Sequence, residues 1–202
     1  AYASKMNFDE FDKYKGLFAE QGDFDIPENY NIGVSWQAAP TLRLALDYQR
    51  INYADVNSVG NRASTSLSTP QRLGSSNGSG FGWDDIDVWK FGVEYKVNPK
   101  FTLRAGYSHT DSPIKGNLAT DPGCFGGSAN CGEIMFNILA PAVIENHVTL
   151  GFTYAVAPNQ ELTMAYMHGL KNDVSGSDPF FGGRDTIQMY QNSLGIQFSM
   201  KM

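Results

Sequence analysis

The sequence predicts an all-β fold, an antiparallel β-barrel that spans a membrane. Three observations support this expectation: strict alternation of apolar and polar residues, a low charge content, and connections that alternate between short turns and long loops. Only 18% of the 202 residues are charged, whereas about a quarter is usual in soluble domains. No stretch approaches the roughly 18 apolar residues of a membrane helix, but a barrel strand needs only about 9–11 residues, every second one apolar.

The clearest alternation is "VWKFGVEYKVNPKFTLRAGYSH" at 88–109. It is interrupted by Asn98-Pro99-Lys100 and then resumes, which predicts two strands joined by a tight turn. The apolar positions of this hairpin are Trp89, Phe91, Val93, Tyr95, Val97, Phe101, Leu103, Ala105 and Tyr107.

The same pattern predicts strands at 30–36, 41–53, 147–156, 161–170 and 185–202. Near Gln49–Ile51 the alternation slips, which predicts a β-bulge. The segment "AYASKM" at 1–6 is interpreted as the end of an eighth strand. Eight strands are enough to close a small barrel, but this first segment is too short to span a membrane.

The predicted connections are of two kinds. Tight turns are expected near Ala39, Pro99 and Asn159, and extracellular loops at about 7–29, 54–84, 111–142 and 171–184. A soluble β-sandwich, the alternative fold, has no reason to keep its short turns at one end and its long loops at the other, whereas an outer-membrane barrel does. Aromatic residues near the strand ends fit interfacial girdles: Trp36, Tyr48, Tyr53, Trp89, Tyr95, Phe101, Tyr107 and Tyr154.

Composition and motifs narrow the functional classes. A net charge of −6 and a pI near 5.0 argue against a nucleic-acid partner. We expect no enzyme, metal or cofactor, since there is no G-x-S-x-G and no paired metal-binding histidine. Cys124 and Cys131 predict a disulfide formed in an oxidising compartment, with two free thiols as the alternative. Without an initiator Met or a signal segment at Ala1, either a signal has been removed or the chain is the later part of something longer.

Several blocks resemble the FadL-type (OmpP1/FadL/TodX) outer-membrane transporters of long-chain fatty acids, whose relatives take up toluene and other aromatic hydrocarbons. The blocks are "FDKYKGLFAEQGDFDIPENYNIGVSW", "LDYQRINYADVNSVGN", "GFGWDDIDVWKFGVEYKVNPKFTLRAGYSHTDSPI", "FNILAPAVIENHVTLGFTYAV" and "AYMHG". The resemblance implies a Gram-negative outer membrane and a barrel of about fourteen strands plugged by an N-terminal hatch. Residues 1–202 would form one domain, the C-terminal part with about eight strands; the hatch and early strands have no counterpart here.

The resemblance implies passive uptake of long-chain fatty acids or related hydrophobic compounds. The alternatives are uptake of aromatic hydrocarbons such as toluene, a small structural or adhesive barrel, and, ranked lowest, a barrel enzyme acting on lipid. Implied partners are the hydrophobic ligand, outer-membrane lipid with lipopolysaccharide, and the barrel-assembly machinery. The last strand resembles the terminal strand which that machinery recognises, although Met202 stands where an aromatic residue is usual.

By the family's strand order, the loop at 7–29 contributes to a capture groove for cargo. Its apolar residues fall at near-helical spacing, and the groove candidates are Phe8, Phe11, Tyr14, Leu17 and Phe18. The alternative is that they pack on neighbouring loops. A carboxylate head group would need a donor, and the polar candidates are Lys90, Glu94 and Arg104 in the lumen and Arg62 and Arg72 in a loop. The lumenal three would otherwise form a charge cluster that satisfies itself.

Overall fold

The computed structural model describes residues 1–8, 16–62, 74–114, 133–177 and 183–200. Eight strands form one antiparallel sheet in which each strand pairs with the next along the chain. The strands are β1 (Tyr2–Ala3), β2 (Asn29–Ala39), β3 (Leu42–Ile51), β4 (Ile86–Asn98), β5 (Phe101–Thr110), β6 (Asn146–Ala157), β7 (Gln160–Ser177) and β8 (Arg184–Met200). The predicted all-β antiparallel architecture is confirmed.

The helices of the described ranges are short and lie between strands. They are α1 (Ala19–Gly22), a 3-10 turn (Tyr53–Asp55), α2 (Asn57–Gly60) and α3 (Glu133–Leu139). None of them is long and apolar enough to cross a membrane.

Three tight turns lie at one end of the sheet, which we call the turn end: 40–41, 99–100 and 158–159. Each begins with proline, whose fixed φ suits the first corner of a turn. The ladder also shifts register just before each turn. The opposite end, where β2, β4, β6 and β8 begin, carries the long connections and is called the loop end.

The bulge predicted near Gln49–Ile51 is wrong. Arg50 pairs directly with Tyr30 on one side and with Asp87 on the other, without a shift in register. The alternation changes there because the face that carries Leu46 and Tyr48 turns from apolar to polar at Arg50. The slip in the sequence alternation therefore reflects a change from apolar to polar side chains on one face, without an extra residue in the strand.

One face of the sheet, the outer face, is apolar from β2 to β8. Cross-strand pairs keep it continuous: Val34 lies opposite Leu46, and Leu46 lies opposite Phe91. Its side chains are exposed, with 62% of Val34 and 65% of Ile196 accessible. An apolar surface of this extent is costly in water. It is solvated by the hydrocarbon of a bilayer, as the predicted transmembrane barrel requires.

The predicted loop at 171–184 is shorter than expected, because β7 and β8 have 18 and 17 residues. A membrane span takes only about 9–11 residues, so this hairpin projects beyond the loop end. Val174 and Ile187 are buried there against Ile134 of α3 and Val143. This packing offsets the weak strand propensity of the Gly- and Ser-rich sequence, on which the loop prediction rested.

The two faces can be distinguished by substituting neighbouring residues of β2. Val34→Lys places a charge in the hydrocarbon near mid-strand and is expected to destabilise the folded barrel by about 2–4 kcal/mol. Ser35→Lys, on the opposite face, is expected to change the stability little. Unfolding in lipid vesicles, followed by heat-modifiable gel mobility, measures both. Equal effects of the two substitutions would contradict the assignment of the faces.

Candidate functional site

The polar inner face carries a groove of about 490 Å3 in the middle of the sheet. Its floor is made of small residues: Ala45, Gly92, Gly106, Gly151 and Ala165. Larger side chains are excluded at some of these positions. A Cβ on Gly106 would lie 2.5 Å from Thr149 Oγ1, and a Cβ on Gly151 would lie 2.9 Å from the Met164 carbonyl oxygen. The groove therefore presents mainly carbon atoms and peptide groups.

Glu94 and Arg104, two of the polar candidates, meet on the turn-end side of this groove. Arg104 Nε lies 2.8 Å from Glu94 Oε2, and Arg43 Nη1 approaches Glu94 Oε1 at 3.8 Å. Arg104 also donates to Thr153 Oγ1 at 2.7 Å, and Thr153 bonds Thr163 at 2.8 Å. In the ladder Glu94 lies opposite both Arg43 and Arg104, and Thr153 lies opposite Thr163. Arg104 reaches diagonally to Thr153, because its own ladder partner on β6 is Gly151. Together these contacts form a network from β3 to β7.

Lys90, the third candidate, lies apart from this network, towards the loop end of β4. Its Nζ donates to Gln49 Oε1 at 2.9 Å. Asp47 is opposite Lys90 in the ladder, but its carboxylate lies against the backbone of Gly33. Lys90 thus has a neutral hydrogen-bond acceptor, whereas Arg104 is neutralised by Glu94.

At the loop end, one groove candidate is part of an aromatic cluster. Phe18 is only 7% exposed, and its ring centroid lies 4.9 Å from that of Phe24, 5.0 Å from Phe81 and 5.3 Å from Phe136. Three separate connections supply these four rings. Phe18 therefore packs between loops, in line with the alternative weighed for the candidate groove.

The other groove candidates differ from Phe18. Phe8 is 52% exposed and Leu17 is 38% exposed, so both are accessible to a ligand. Phe11 and Tyr14 lie outside the described residues, as do Arg72, Cys124 and Cys131.

Polar contacts of Asn137, which the sequence did not predict, hold the aromatic cluster in place. The side chain of Asn137 on α3 is buried, donates to the Phe81 carbonyl at 2.8 Å and accepts from Trp83 Nε1 at 2.6 Å. The sequence feature that could have indicated this packing is "GFGW" at 80–83, which places two aromatic residues in an otherwise polar connection. Buried amides with partners are common where loops form a core of their own.

Lys5 fixes the N-terminal segment to the loop that precedes β2. Its Nζ lies 2.8 Å from Asp25 Oδ2, and Asp25 Oδ1 accepts from the Phe8 N–H at 2.9 Å. The hydrogen bond to Asp25 raises the pKa of Lys5. Burial favours a higher pKa for Asp25, but the hydrogen bonds from Lys5 and Phe8 outweigh it and hold the pKa below its usual value. Asp25 thereby positions the backbone that carries the exposed Phe8 ring.

The neighbouring Asp23 is in the opposite situation. Burial and the adjacent Asp25 raise its pKa, and its Oδ1 atom is buried without a hydrogen-bond partner among the described residues. A charged Asp23 therefore opposes the folded arrangement, while a charged Asp25 favours it.

Within the described ranges, no group of three or more His, Cys, Asp or Glu side chains is arranged to hold a metal ion. The inner face has a groove with small residues at its centre, the Glu94–Arg104 ion pair on its turn-end side and Lys90, bonded to Gln49, towards the loop end. A hydrophobic molecule that passes the Glu94–Arg104 pair leaves neither of these two charges unpaired.

Comparisons with known proteins agree with this architecture. The family described as outer membrane protein transport protein (OMPP1/FadL/TodX) matches residues 16–121. No curated protein sequence matches the chain. A similar solved structure is the Pseudomonas putida toluene transporter TodX, at 18% identity and a TM-score of 0.55, with 89% of this chain and 36% of that chain covered.

Two other channels are similar in fold. The TodX deltaS2S3 mutant, a monoaromatic hydrocarbon channel, is 21% identical with a TM-score of 0.53 over 89% of this chain and 36% of that one. The monoaromatic hydrocarbon channel CymD is 16% identical with a TM-score of 0.52, over 90% and 37%. The chain thus spans little more than a third of the length of these proteins.

The family match covers more than half of the chain, and the solved structures share its antiparallel strands. This chain belongs to the OMPP1/FadL/TodX family of outer-membrane transport proteins.

Proposed function

We propose that the natural protein takes up hydrophobic compounds passively across the outer membrane. This chain would supply the C-terminal strands of its barrel, with the connections at about 7–29, 54–84, 111–142 and 171–184 outside the cell. A hatch and earlier strands would complete the lumen, as in the family. The barrel-assembly machinery would insert the protein, and lipopolysaccharide would surround its loop end.

One observation supports this proposal most directly: the contrast between the two faces of a single sheet. The outer face is apolar and exposed to the bilayer, while the inner face has a groove floored by glycine and alanine, with Glu94 and Arg104 paired at its turn-end rim. A hydrophobic cargo needs a path whose polar groups are already satisfied, because unpaired charges would bind water in its place. The floor of the groove and its Glu94–Arg104 rim have this property, whereas Lys90 is bonded to the neutral Gln49.

Capture would begin at the loop end. The exposed side chains of Phe8 and Leu17 offer apolar contacts beside the aromatic cluster of Phe18, Phe24, Phe81 and Phe136. The buried Phe18 would hold the loop in place. Burial of cargo against apolar side chains, at ~25 cal/mol per Å2, would supply the affinity.

Long-chain fatty acids are the first candidate cargo. Lys90 supports this choice because its ammonium group is bonded to the neutral Gln49 and can still neutralise a carboxylate. Glu94 and Arg104, which neutralise one another, would shape the groove without binding the head group.

Aromatic hydrocarbons are the second candidate. Similar solved structures are described as a toluene transporter and as monoaromatic hydrocarbon channels. The aromatic cluster at the loop end favours this class, since planar rings pack well against other rings. A neutral hydrocarbon would need no contact from Lys90.

Uptake of labelled oleate and toluene by cells that produce the natural protein tests the proposal and the two cargo classes. We expect faster uptake than in cells without the protein. Phe8→Ser combined with Leu17→Ser should lower the rate about tenfold, because two apolar contacts are lost. Tyr190→Ser is the control, because Tyr190 is an exposed aromatic residue of β8, the edge strand opposite β1 in the sheet order. Uptake of neither compound would contradict the proposed function.

The Lys5–Asp25 contact is expected to matter for capture as well. Asp25→Asn should weaken the attachment of the N-terminal segment by about 1–2 kcal/mol and slow uptake, since Phe8 is no longer positioned. Asp23→Asn should preserve or improve it, because a disfavoured charge is removed. Hydrogen exchange of residues 1–8 measures the attachment.

The same contact has a defined pH dependence. The pKa of Asp25 is lowered, so its contribution is present above the usual aspartate pKa of about 4 and is lost as the pH falls further. The difference between the natural protein and Asp25→Asn should therefore vanish in that acidic range. Equal behaviour of Asp23→Asn and Asp25→Asn at neutral pH would contradict these roles.

Lys90→Gln separates the two cargo classes. If oleate is carried, its uptake should fall about tenfold with loss of one charge-assisted contact, while toluene uptake stays the same. Lys96→Gln, on the same face of β4 but nearer the turn end, is the matched control. Unchanged oleate uptake in Lys90→Gln would rule out Lys90 as the head-group contact.

A further inference from the structure

A side-chain arrangement recurs three times on the outer face at the loop end. In each case a tyrosine hydroxyl and a basic side chain two residues later both bond one acceptor on the next strand. We call these the outer triads. They are Tyr48, Arg50 and Asp87; Tyr107, His109 and Asn146; and Tyr166, His168 and Asn192.

The geometry is nearly identical in the three triads. The tyrosine hydroxyl lies 2.6 Å from its acceptor in each. The basic group lies at 3.1 Å in the first triad, 2.9 Å in the second and 2.8 Å in the third. Each basic residue is paired in the ladder with the acceptor.

The outer triads also lie at one level. Tyr48, Tyr107 and Tyr166 stand at the same distance along the strand from the tight turn that precedes them. Below each tyrosine, towards the turn end, the outer face is apolar: Leu46, Ala105 and Met164 come two residues earlier. The triads therefore mark the boundary between hydrocarbon and head groups on the loop-end side.

The second and third triads differ from the first in charge. Asp87 and Asp85 both pair with Arg50, so the first triad carries excess negative charge. In the other two, the acceptor is an amide oxygen. An amide oxygen can only accept hydrogen bonds, so the histidine nitrogen bonded to Asn146 Oδ1 must be a donor.

This arrangement leaves two amide donors at the level of the membrane boundary without a protein partner among the described residues. The Nδ2 groups of Asn146 and Asn192 have no protein acceptor among the described residues, while both Oδ1 atoms are used. The outer nitrogen of His109 lies 3.9 Å from the exposed Asp111 carboxylate. An amide donor at this depth is costly unless a ligand or water accepts from it.

An apolar groove lies directly below these two triads on the same face. Its volume is about 520 Å3, and it extends across β4 to β8 around the small side chain of Ala105. Its lining includes Val93, Leu103, Leu150, Phe152, Met164 and Tyr166. Tyr166 belongs to both the groove and the third triad, so the apolar and polar parts are contiguous.

We propose that this surface binds one lipopolysaccharide molecule of the outer leaflet. An acyl chain of its lipid A occupies the groove around Ala105, and the phosphates or sugar oxygens of its head group accept hydrogen bonds from Asn146 and Asn192. The groove is continuous with the bilayer-facing surface, which makes a lipid its occupant. Its upper end, at Tyr166, lies at the boundary that the triads mark on the loop-end side, so a lipid chain enters it from the outer leaflet, where lipopolysaccharide is the lipid. The site is independent of the cargo proposed for the lumen.

Native mass spectrometry of the purified natural protein tests this site, with hexa-acylated bis-phosphorylated lipid A as the probe. Equal amounts of phosphatidylethanolamine and of dephosphorylated lipid A serve as competitors. We expect one lipid A to be retained in excess over a random distribution. Ala105→Phe, which fills the groove, should lower retention about tenfold, whereas Leu46→Phe on the same face outside the groove should not.

The double variant Asn146→Leu and Asn192→Leu tests the head-group contacts separately. It should abolish the preference for phosphorylated over dephosphorylated lipid A and leave acyl-chain binding in place. Undiminished preference in this variant, or full retention in Ala105→Phe, overturns the proposal. If Ala105→Phe does not fold, Ala105→Met fills part of the same space. A random distribution of lipid A on the unsubstituted protein overturns the proposal by itself.

Discussion

The fixed register between neighbouring strands is the constraint on which the rest of this structure depends. Side chains alternate across a strand with a period of two, so direct pairing of Leu46 with Val34 and Phe91 carries one apolar face across the sheet. A shift by one residue would place Asp47 and Lys90 in hydrocarbon. The inner network of Glu94 and Arg104 follows from the same pairing.

Above the sheet, the loops form a second packed layer whose stability has a different origin. Rings from three connections meet around Phe18, and a second cluster joins Ile114 and Ile134 to the projecting β7–β8 hairpin. Trp83 connects the two, since it packs against the second cluster and its ring centroid lies 5.5 Å from that of Phe81. These contacts bury apolar side chains against other protein groups. The apolar side chains on the outer face of the strands are instead covered by lipid. Any groove for cargo at the loop end is therefore shaped by a small core that holds Phe8 and Leu17 at its exposed margin.

The sequence predicted the sheet well because alternation is a local signal. Strand order, the three tight turns and the pairing of the inner candidates Glu94 and Arg104 all follow from it. The sequence was misleading where side-chain polarity changes along a strand that keeps its register. A bulge was predicted near Arg50 because the outer face becomes polar there, but Arg50 pairs directly with Asp87. The sequence also did not predict the strand at 171–177 or the role of "GFGW", since packing between loops that are distant in sequence leaves no periodic trace.

The outer triads lie where the outer face changes from apolar to polar while the strands keep their register. On β3, β5 and β7 the outer face changes from apolar to polar at equal distances from the turn, so the bilayer boundary is set by each hairpin independently. A tyrosine alone would be enough to mark the membrane interface at this level. A histidine and an asparagine that share hydrogen bonds with that tyrosine hold the asparagine amide in a fixed direction. A fixed donor beside an apolar groove discriminates between head groups, whereas a tyrosine alone would accept any lipid.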